Sequence, residues 1–139
     1  MWIQKEIALN PRNRGYHLIT DEVVKNLPEI KSINVGILTL FIKHTSASLT
    51  INENADITVR NDFESHFNIM VPENAPYYQH TFEGSDDMPA HIKSALTNNQ
   101  ISLSVKSGKL LLGTWQGLYL FEHRLNSQTR KIIHHFIGE

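Results

Sequence analysis

The sequence contains no cysteine. This absence excludes a disulfide framework, a thiolate nucleophile and any zinc site built on cysteine. Lysine and arginine number 13 against 14 acidic residues, so no excess of positive charge predicts binding to a nucleic acid or a membrane surface. No apolar run is long enough to span a bilayer or to serve as a secretion signal. We therefore expect a cytoplasmic protein without nucleic-acid or membrane partners.

The length and the hydrophobic pattern predict one α+β domain covering residues 1–139. Alternating apolar residues predict strands at 3–9 and 16–19, joined as a hairpin. A nearly continuous apolar run at 33–42 is typical of a central strand covered on both faces. The last third, from residue 101 onwards, again alternates as strands do. These strands predict a mostly antiparallel, sandwich-like core.

Two main helices and one minor helix complete the expected fold. The minor helix is predicted at residues 20–27. Apolar residues recurring four apart predict a main helix at 53–67, capped by Asn52. The second main helix is predicted to begin at Asp86 or Asp87. The irregular stretch between the two main helices is long for a compact domain, and such loops more often have a function than serve only as connections.

Histidine is the one unusually frequent residue, with eight copies. His44 follows the predicted central strand, His80 lies in the long loop, and His91 lies in the first turns of the second main helix. Three imidazoles with one open position form a common catalytic zinc arrangement. Their spacing matches no compact zinc motif, so the alternative is three unrelated polar residues on the surface.

Carboxylates and hydroxyls follow His44 closely. Glu53 and Asp56 fall on one face of the predicted helix and are candidates for a general acid/base pair. The alternative is that they are ordinary first-turn acids, which complement the helix dipole. The hydroxyl run that includes Thr45 and Ser46 is predicted to precede this helix. Amides and hydroxyls at a helix start can hold a phosphate, but turn or strand-edge hydroxyls are the alternative.

A glycine-flanked segment near the end of the chain is a second candidate for ligand binding. Gly113 and Gly117 surround Trp115 and Gln116, and glycine in a strand context often marks close approach of a backbone or ligand. Arg124 lies further along and could supply a cationic rim for a phosphorylated or carboxylated ligand. The alternative is a solvated hairpin edge protected by charge.

Four blocks of sequence, taken together and in order, resemble the YjbQ family. They are His-Thr-Ser-Ala-Ser-Leu-Thr-Ile-Asn-Glu-Asn-Ala-Asp at 44–56, Tyr-Gln-His at 78–80, Glu-Gly-Ser-Asp-Asp-Met-Pro-Ala-His-Ile-Lys at 83–93, and Gly-Thr-Trp-Gln-Gly at 113–117 with Glu-His-Arg at 122–124. Met88-Pro89 replaces the Asn-Ala seen in many members, but Asp87 and His91 are retained.

This resemblance implies a homotrimer with a polar pocket that takes a divalent metal. It also implies a weak, secondary thiamine-phosphate synthase activity, which joins hydroxymethylpyrimidine diphosphate to thiazole phosphate with loss of pyrophosphate. Histidine ligands favour a zinc-like ion, whereas a magnesium site, the alternative, uses carboxylates and water. The partner is then a small phosphorylated molecule. The alternative function is a non-catalytic trimer that binds a metal or a small ligand.

Site residues follow from this resemblance position by position. The implied metal ligands are His44, His80 and His91. The implied acid/base groups, or groups that orient the metal ligands, are Glu53, Asp56 and Asp87. The candidate substrate contacts are Thr45, Ser46, Asn52, Trp115, Gln116 and Arg124.

Overall fold

The structure, a computed structural model, describes all 139 residues as eight strands and three α-helices. The strands are β1 (Trp2–Arg12), β2 (Gly15–Leu18), β3 (Val35–Ile42), β4 (Ala47–Glu53), β5 (Gln100–Lys106), β6 (Lys109–Leu110), β7 (Gln116–Glu122) and β8 (Gln128–Gly138). The helices are α1 (Thr20–Lys25), α2 (Ile57–Met70) and α3 (Asp87–Leu96), and a short 3₁₀ helix covers Pro28–Ser32.

The strands form two antiparallel sheets that pack face to face. The larger sheet has the order β1-β8-β3-β5-β6, and the smaller has the order β2-β7-β4. Leu38, Leu40 and Phe136 of the larger sheet share one buried cluster with Leu118 and Leu120 of the smaller. Alternation of inward apolar and outward residues along each strand produces this core. The α+β, sandwich-like prediction is confirmed.

The two main helices, α2 and α3, cover the outer face of the smaller sheet, whereas Val23 of α1 packs into the core between the sheets. Phe63 and Phe67 of α2 pack against Tyr16 of β2 and Phe121 of β7, with ring centroids 5.7–6.3 Å apart. The helix α3 lies beside β4. The segment after α3 is hydrogen-bonded to β4, because the Leu49 amide donates to the carbonyl of Asn98. The long loop at residues 71–86 connects the two main helices.

Two expectations about the first strands are wrong. β1 pairs with β8, and β2 pairs with β7, so the two strands belong to different sheets and form no hairpin. β3 is central in its sheet, as expected, but only one of its faces is covered. Val35, Ile37 and Phe41 point away from the core and remain exposed. The apolar run predicts a strand buried on two sides, whereas in the structure its outer face carries apolar residues that nothing in this chain covers.

The segment after His44 also differs from its prediction. Residues Ala47–Glu53 form β4 and pair along their whole length with β7. The hydroxyl run therefore begins with Thr45 and Ser46 in a bend and continues onto a strand, and it does not lie at the start of a helix. Helix α2 begins four residues later than expected, and its N-cap is Asp56, whose Oδ1 accepts from the Thr58 amide at 2.9 Å. Asn52 is therefore not the cap. Pairing with β7 outweighs the local helix-start signal at Asn52.

The outer face of the larger sheet carries a cross-strand row of exposed apolar side chains. Trp2 is 71% exposed, Ile37 52% and Ile137 49%. Ile137 is the register partner of both Trp2 and Ile37, so the three side chains are neighbours on one surface. None of the helices combines the length and the apolar character that crossing a lipid bilayer requires.

Candidate functional site

Two imidazoles converge on one oxygen of a buried carboxylate. Asp87 is the first residue of α3, and His91 follows four residues later on the same helix face. His80 reaches the same point from the long loop. The Nε2 atoms of His80 and His91 lie 2.7 and 3.1 Å from Oδ2 of Asp87. The Asp87 side chain is 2% exposed, whereas those of His80 and His91 are 45% and 32% exposed, so the cluster opens to solvent on its histidine side.

A backbone carbonyl fixes the tautomer of His91. Nδ1 of His91 lies 2.9 Å from the carbonyl oxygen of Thr45, and because a carbonyl only accepts, Nδ1 carries the proton. In a neutral ring, Nε2 then has a free lone pair. That lone pair faces the carboxylate oxygen of Asp87, so two acceptors stand opposite each other. A proton or a metal cation between them relieves the repulsion. A carbonyl on the far nitrogen is the usual way a ligating histidine is oriented.

Arg124 binds the other oxygen of Asp87. Its Nη1 donates to Asp87 Oδ1 at 2.5 Å and its Nε donates to Asp86 Oδ2 at 2.8 Å. Although burial acts to raise the pKa of Asp87, the hydrogen bond from His80 and the charge of Arg124 hold it below the usual aspartate value. Arg124 also donates to the carbonyl of Glu83. The predicted substrate contact therefore has its guanidinium turned inward, where it orients the carboxylate and leaves Oδ2 for the histidines.

The donor set fits a zinc-like cation. The ligand atoms of His80, Asp87 and His91 all lie within 4.8 Å of one another. Two imidazoles and one carboxylate with a solvent-open side match a three-ligand catalytic arrangement with a free position. Magnesium prefers an oxygen shell and fits this set less well. Of the three predicted metal histidines, the structure brings His80 and His91 together, and it adds Asp87, which was predicted as an acid/base group.

His44 lies outside this group. Its Nε2 accepts a hydrogen bond from the backbone amide of Lys131 at 2.8 Å. It lines a cavity of about 310 Å³ that also contains His91 and Thr45. The cavity is thus continuous with the cluster through His91. The metal-ligand role of His44 stays a prediction that this hydrogen bond does not favour.

Ser46, beside this cavity, belongs to a buried ionic network. Arg130, 2% exposed, donates from Nη2 to the carbonyl and hydroxyl oxygens of Ser46 and from Nε to Glu122 at 2.6 Å. Ser46 is buried and its hydroxyl oxygen already accepts from Arg130. The substrate role of Ser46 stays a prediction that these contacts do not favour. Composition alone could not reveal this network, since its members are 84 and 8 residues apart in sequence.

The remaining predicted residues lie at the opposite end of β4. The six steps from Ala47 to Glu53 span about 20 Å at ~3.3 Å per residue. Hydrogen bonds from the Thr58 side chain and amide lower the pKa of Asp56 and use it as a helix cap. One Glu53 carboxylate oxygen is buried without a hydrogen-bond partner. Within one chain, therefore, neither acid lies near the histidine cluster.

The glycine-flanked segment is also at the Glu53 end. Gln116 folds back and accepts from the Gly113 amide at 2.8 Å, and the Asn54 side chain donates to the carbonyls of Thr114 and Gln116. Gly117 is required here because a Cβ would lie 2.7 Å from Leu18. Trp115 is 65% exposed. The two glycines are therefore explained by close approach of neighbouring side chains, Gln116 at Gly113 and Leu18 at Gly117.

The largest cavity, about 740 Å³, lies at the Glu53 end and does not include the histidine cluster. Its charged residues largely neutralise each other, and Arg12 and Glu22 form an ion pair at 2.7 Å. We therefore place the candidate site at the smaller cavity, where convergent ligand atoms are present. The residues lining the larger cavity are Asn10, Arg12, Leu18, Thr20, Asp21, Glu22, Lys25, Asn54 and Gln116.

Two residues of the site were overlooked in the sequence. Asp86 was considered only as a helix cap, yet its carboxylate accepts from Arg124 and from the Leu125 amide at 2.9 Å. Ser94, which lines the cavity beside His91, belongs to none of the sequence motifs. Its spacing of three residues from His91 on a helix could have pointed to it.

Known proteins match this chain over nearly its whole length. The family model described as "UPF0047 protein YjbQ-like" matches residues 5–139. The chain is 48% and 51% identical to the UPF0047 protein YjbQ of Escherichia coli O157:H7 and of Salmonella typhimurium, each over the full length of both chains.

Solved structures show the same fold. An uncharacterised conserved protein of the YjbQ/UPF0047 family from Clostridium acetobutylicum is 34% identical, with 96% of this chain and 99% of that chain covered and a TM-score of 0.83. A hypothetical protein from Aeropyrum pernix is 22% identical, covers 99% of both chains and has a TM-score of 0.85. This second likeness concerns the fold alone.

Proposed function

The chain belongs to the YjbQ family, and we propose that it is a metal-dependent enzyme acting on a small phosphorylated substrate. The observation that supports this most is the convergence of His80, His91 and Asp87 on one point with an open, solvent-facing side. When bound there, a zinc-like cation would act as a Lewis acid toward a phosphoryl oxygen. The chain itself orients the ligands, through the Thr45 carbonyl on His91 and through Arg124 on Asp87.

The family-implied reaction is the proposed activity. In it, the C–O bond of hydroxymethylpyrimidine diphosphate breaks, pyrophosphate leaves, and the ring nitrogen of thiazole phosphate forms the new C–N bond. The site supports such chemistry by placing a cation-binding group beside a cavity large enough for part of a small ligand. Glu53 and Asp56 receive no role here, since about 20 Å of β4 separates them from the cluster within one chain.

Turnover in matched variants tests this proposal. Zinc-loaded protein is mixed with both substrates, and release of pyrophosphate and formation of thiamine phosphate are measured. We expect Asp87→Asn to abolish turnover and Asp56→Asn, a comparable change at the other end of β4, to retain it. Zinc bound at full occupancy without turnover of these substrates would instead support the non-catalytic binding function. Equal turnover in wild type and Asp87→Asn would contradict the proposed site.

We also propose that the chain assembles as a homotrimer through the exposed face of the larger sheet. Trp2, Ile37 and Ile137 are neighbours there, and apolar surfaces of this kind mark interaction sites. Multi-angle light scattering of wild type should give three times the chain mass. We expect Ile137→Lys, which places a charge in the centre of the row, to give a folded monomer. A trimer unaffected by this variant would exclude this face.

A further inference from the structure

The cavity beside the cluster presents hydrogen-bond donors that no group of the protein satisfies. It is formed by the segment between β3 and β4 and by the second half of α3, and its volume is about 310 Å³. His91 belongs both to this cavity and to the cluster, so a molecule in the cavity would lie next to the bound cation. The lining residues are His44, Thr45, Ala47, His91, Ser94, Ala95 and Asn99.

His44, which lines this cavity, is fixed as a hydrogen-bond donor. A backbone amide only donates, so the 2.8 Å contact from the Lys131 amide uses the lone pair of His44 Nε2. Burial, followed by the positive charge of Arg130, lowers the pKa of His44, which keeps the ring neutral. The single ring proton is then on Nδ1. In this tautomer His44 has no lone pair left for a metal, but it has one N–H group to donate.

Ser94 supplies a second donor when its side chain rotates into the cavity that it lines. Its hydroxyl oxygen is buried and has no hydrogen-bond partner in the protein. Leaving a buried hydroxyl unpaired costs free energy, so such a group points to a missing partner. Ser94 lies on α3 one turn from His91, which places it on the cavity side of the helix. No carboxylate lines the cavity.

The charge around His44 favours an anion. Arg130, Lys131 and Lys43 lie close enough to affect its titration, and Glu122 opposes them. Arg130 is paired with Glu122, and Lys43 is paired with Glu6. Lys131 forms no ion pair, and its charge also acts on Glu6, which is already paired with Lys43. An anion whose oxygens accept from His44 and Ser94 would satisfy both the donors and this charge.

We propose that this cavity is the subsite for a phosphate group of the substrate, with His44 Nδ1–H and Ser94 Oγ–H as its hydrogen-bond donors. The inference rests on the proposed function, because it assigns the phosphate of that substrate to a place beside the cluster. His44 is thereby a binding residue and not a metal ligand. Phosphate suits the cavity better than a carboxylate because its three or more acceptor oxygens can meet donors from both walls.

Binding of inorganic phosphate to metal-free, chelator-treated protein tests the subsite separately from the metal. Titration calorimetry is carried out on wild type, Ser94→Ala and His44→Gln, and Ser65→Ala on the exposed face of α2 is the matched control. Gln keeps an acceptor for the Lys131 amide and removes the Nδ1–H donor. We expect each subsite variant to bind phosphate at least fivefold more weakly than wild type, the control to be unchanged, and acetate to bind more weakly than phosphate.

Zinc affinity, measured by chelator competition, distinguishes this inference from the proposed function. We expect zinc affinity to stay within twofold of wild type in His44→Gln, and a long-range ¹H–¹⁵N histidine spectrum to show His44 protonated on Nδ1. A tenfold loss of zinc affinity in His44→Gln would make His44 a ligand and overturn the proposal. The proposal would also be overturned if wild type did not bind phosphate, or if both variants bound it as tightly as wild type. If wild type bound no zinc or showed no turnover, that result would instead contradict the proposed function.

Discussion

The two ends of β4 contain similar residues and use them differently. At the Glu53 end, most polar groups are satisfied by close neighbours: Asp56 caps the next helix and Gln116 closes its own turn. At the Ala47 end, the contacts are long-range, because residues from the long loop, α3 and the β7–β8 link meet there. Groups that are satisfied by close neighbours stabilise the fold. At the Ala47 end, by contrast, Nε2 of His91 faces a carboxylate oxygen of Asp87, and the N–H of His44 and the hydroxyl of Ser94 have no partner. This difference is what identifies a site.

The largest expected effect is on stability at the Ala47 end. Glu122→Gln would leave the Arg130 guanidinium buried without a compensating charge, so we expect a loss of about 3–5 kcal/mol in the free energy of unfolding. Urea unfolding followed by circular dichroism measures it. The matched change at the other end is Glu22→Gln, whose partly exposed pair with Arg12 should contribute at most about 1 kcal/mol. Equal losses would remove the contrast between the two ends.

Metal binding should depend on Asp87 and not on Asp56. Asp87→Asn removes one of three ligands and its negative charge, so we expect zinc affinity to fall by about a hundredfold or more. Asp56→Asn keeps a good helix cap and should leave zinc affinity unchanged. Competition with a chromophoric chelator gives both affinities. A loss in the Asp56 variant would mean that the two ends meet in one site.

A smaller effect is expected from Arg124, which orients the ligand without contacting the metal. Arg124→Gln removes the donors to Asp87 Oδ1 and Asp86 Oδ2. Groups that orient metal ligands typically contribute about 10–100-fold to metal affinity, and we expect a loss in this range. The pKa of Asp87 should also rise, so that zinc binding fails at a higher pH than in wild type. An unchanged zinc affinity and pH profile would show that Arg124 has no such role.

The smallest effect is expected from the helix cap at the Glu53 end. Asp56→Ala removes the acceptor of the Thr58 amide, and we expect the Tm to fall by a few degrees with no change in zinc binding. Differential scanning calorimetry with and without zinc measures both properties. A larger fall in Tm in the presence of zinc than in its absence would tie Asp56 to the metal.

Local patterns in the sequence predicted much of the fold. Period-two alternation predicted the strands of the last third, and the four-residue spacing of Phe63 and Phe67 predicted the buried face of α2. Strand pairing was not predictable in the same way. β1 finds its partner β8 more than a hundred residues away, and nothing in the first twenty residues excludes the expected hairpin. The exposed side of β3 was missed because an apolar outer face looks the same in sequence as a covered one.

The site was predictable where the resemblance to the family and the helical spacing agreed. Asp87 and His91 are four residues apart on α3, and His80 was chosen from the loop before it. The assignments of Glu53 and Asp56 assumed a helix starting right after His44, and β4 instead carries them to the other end of the strand. The donor state of His44 depends on the amide of Lys131, 87 residues away, and only the tertiary structure reveals it.

Anomalous diffraction at the zinc edge from crystals of untreated protein tests the metal site most directly. We expect one peak within about 2.0–2.2 Å of Nε2 of His80, Nε2 of His91 and a carboxylate oxygen of Asp87. We also expect His44 Nε2 to remain on the Lys131 amide, outside coordination distance. A peak ligated by His44, a peak at Glu53, or zinc-soaked crystals without a peak at Asp87 would contradict the proposed metal site.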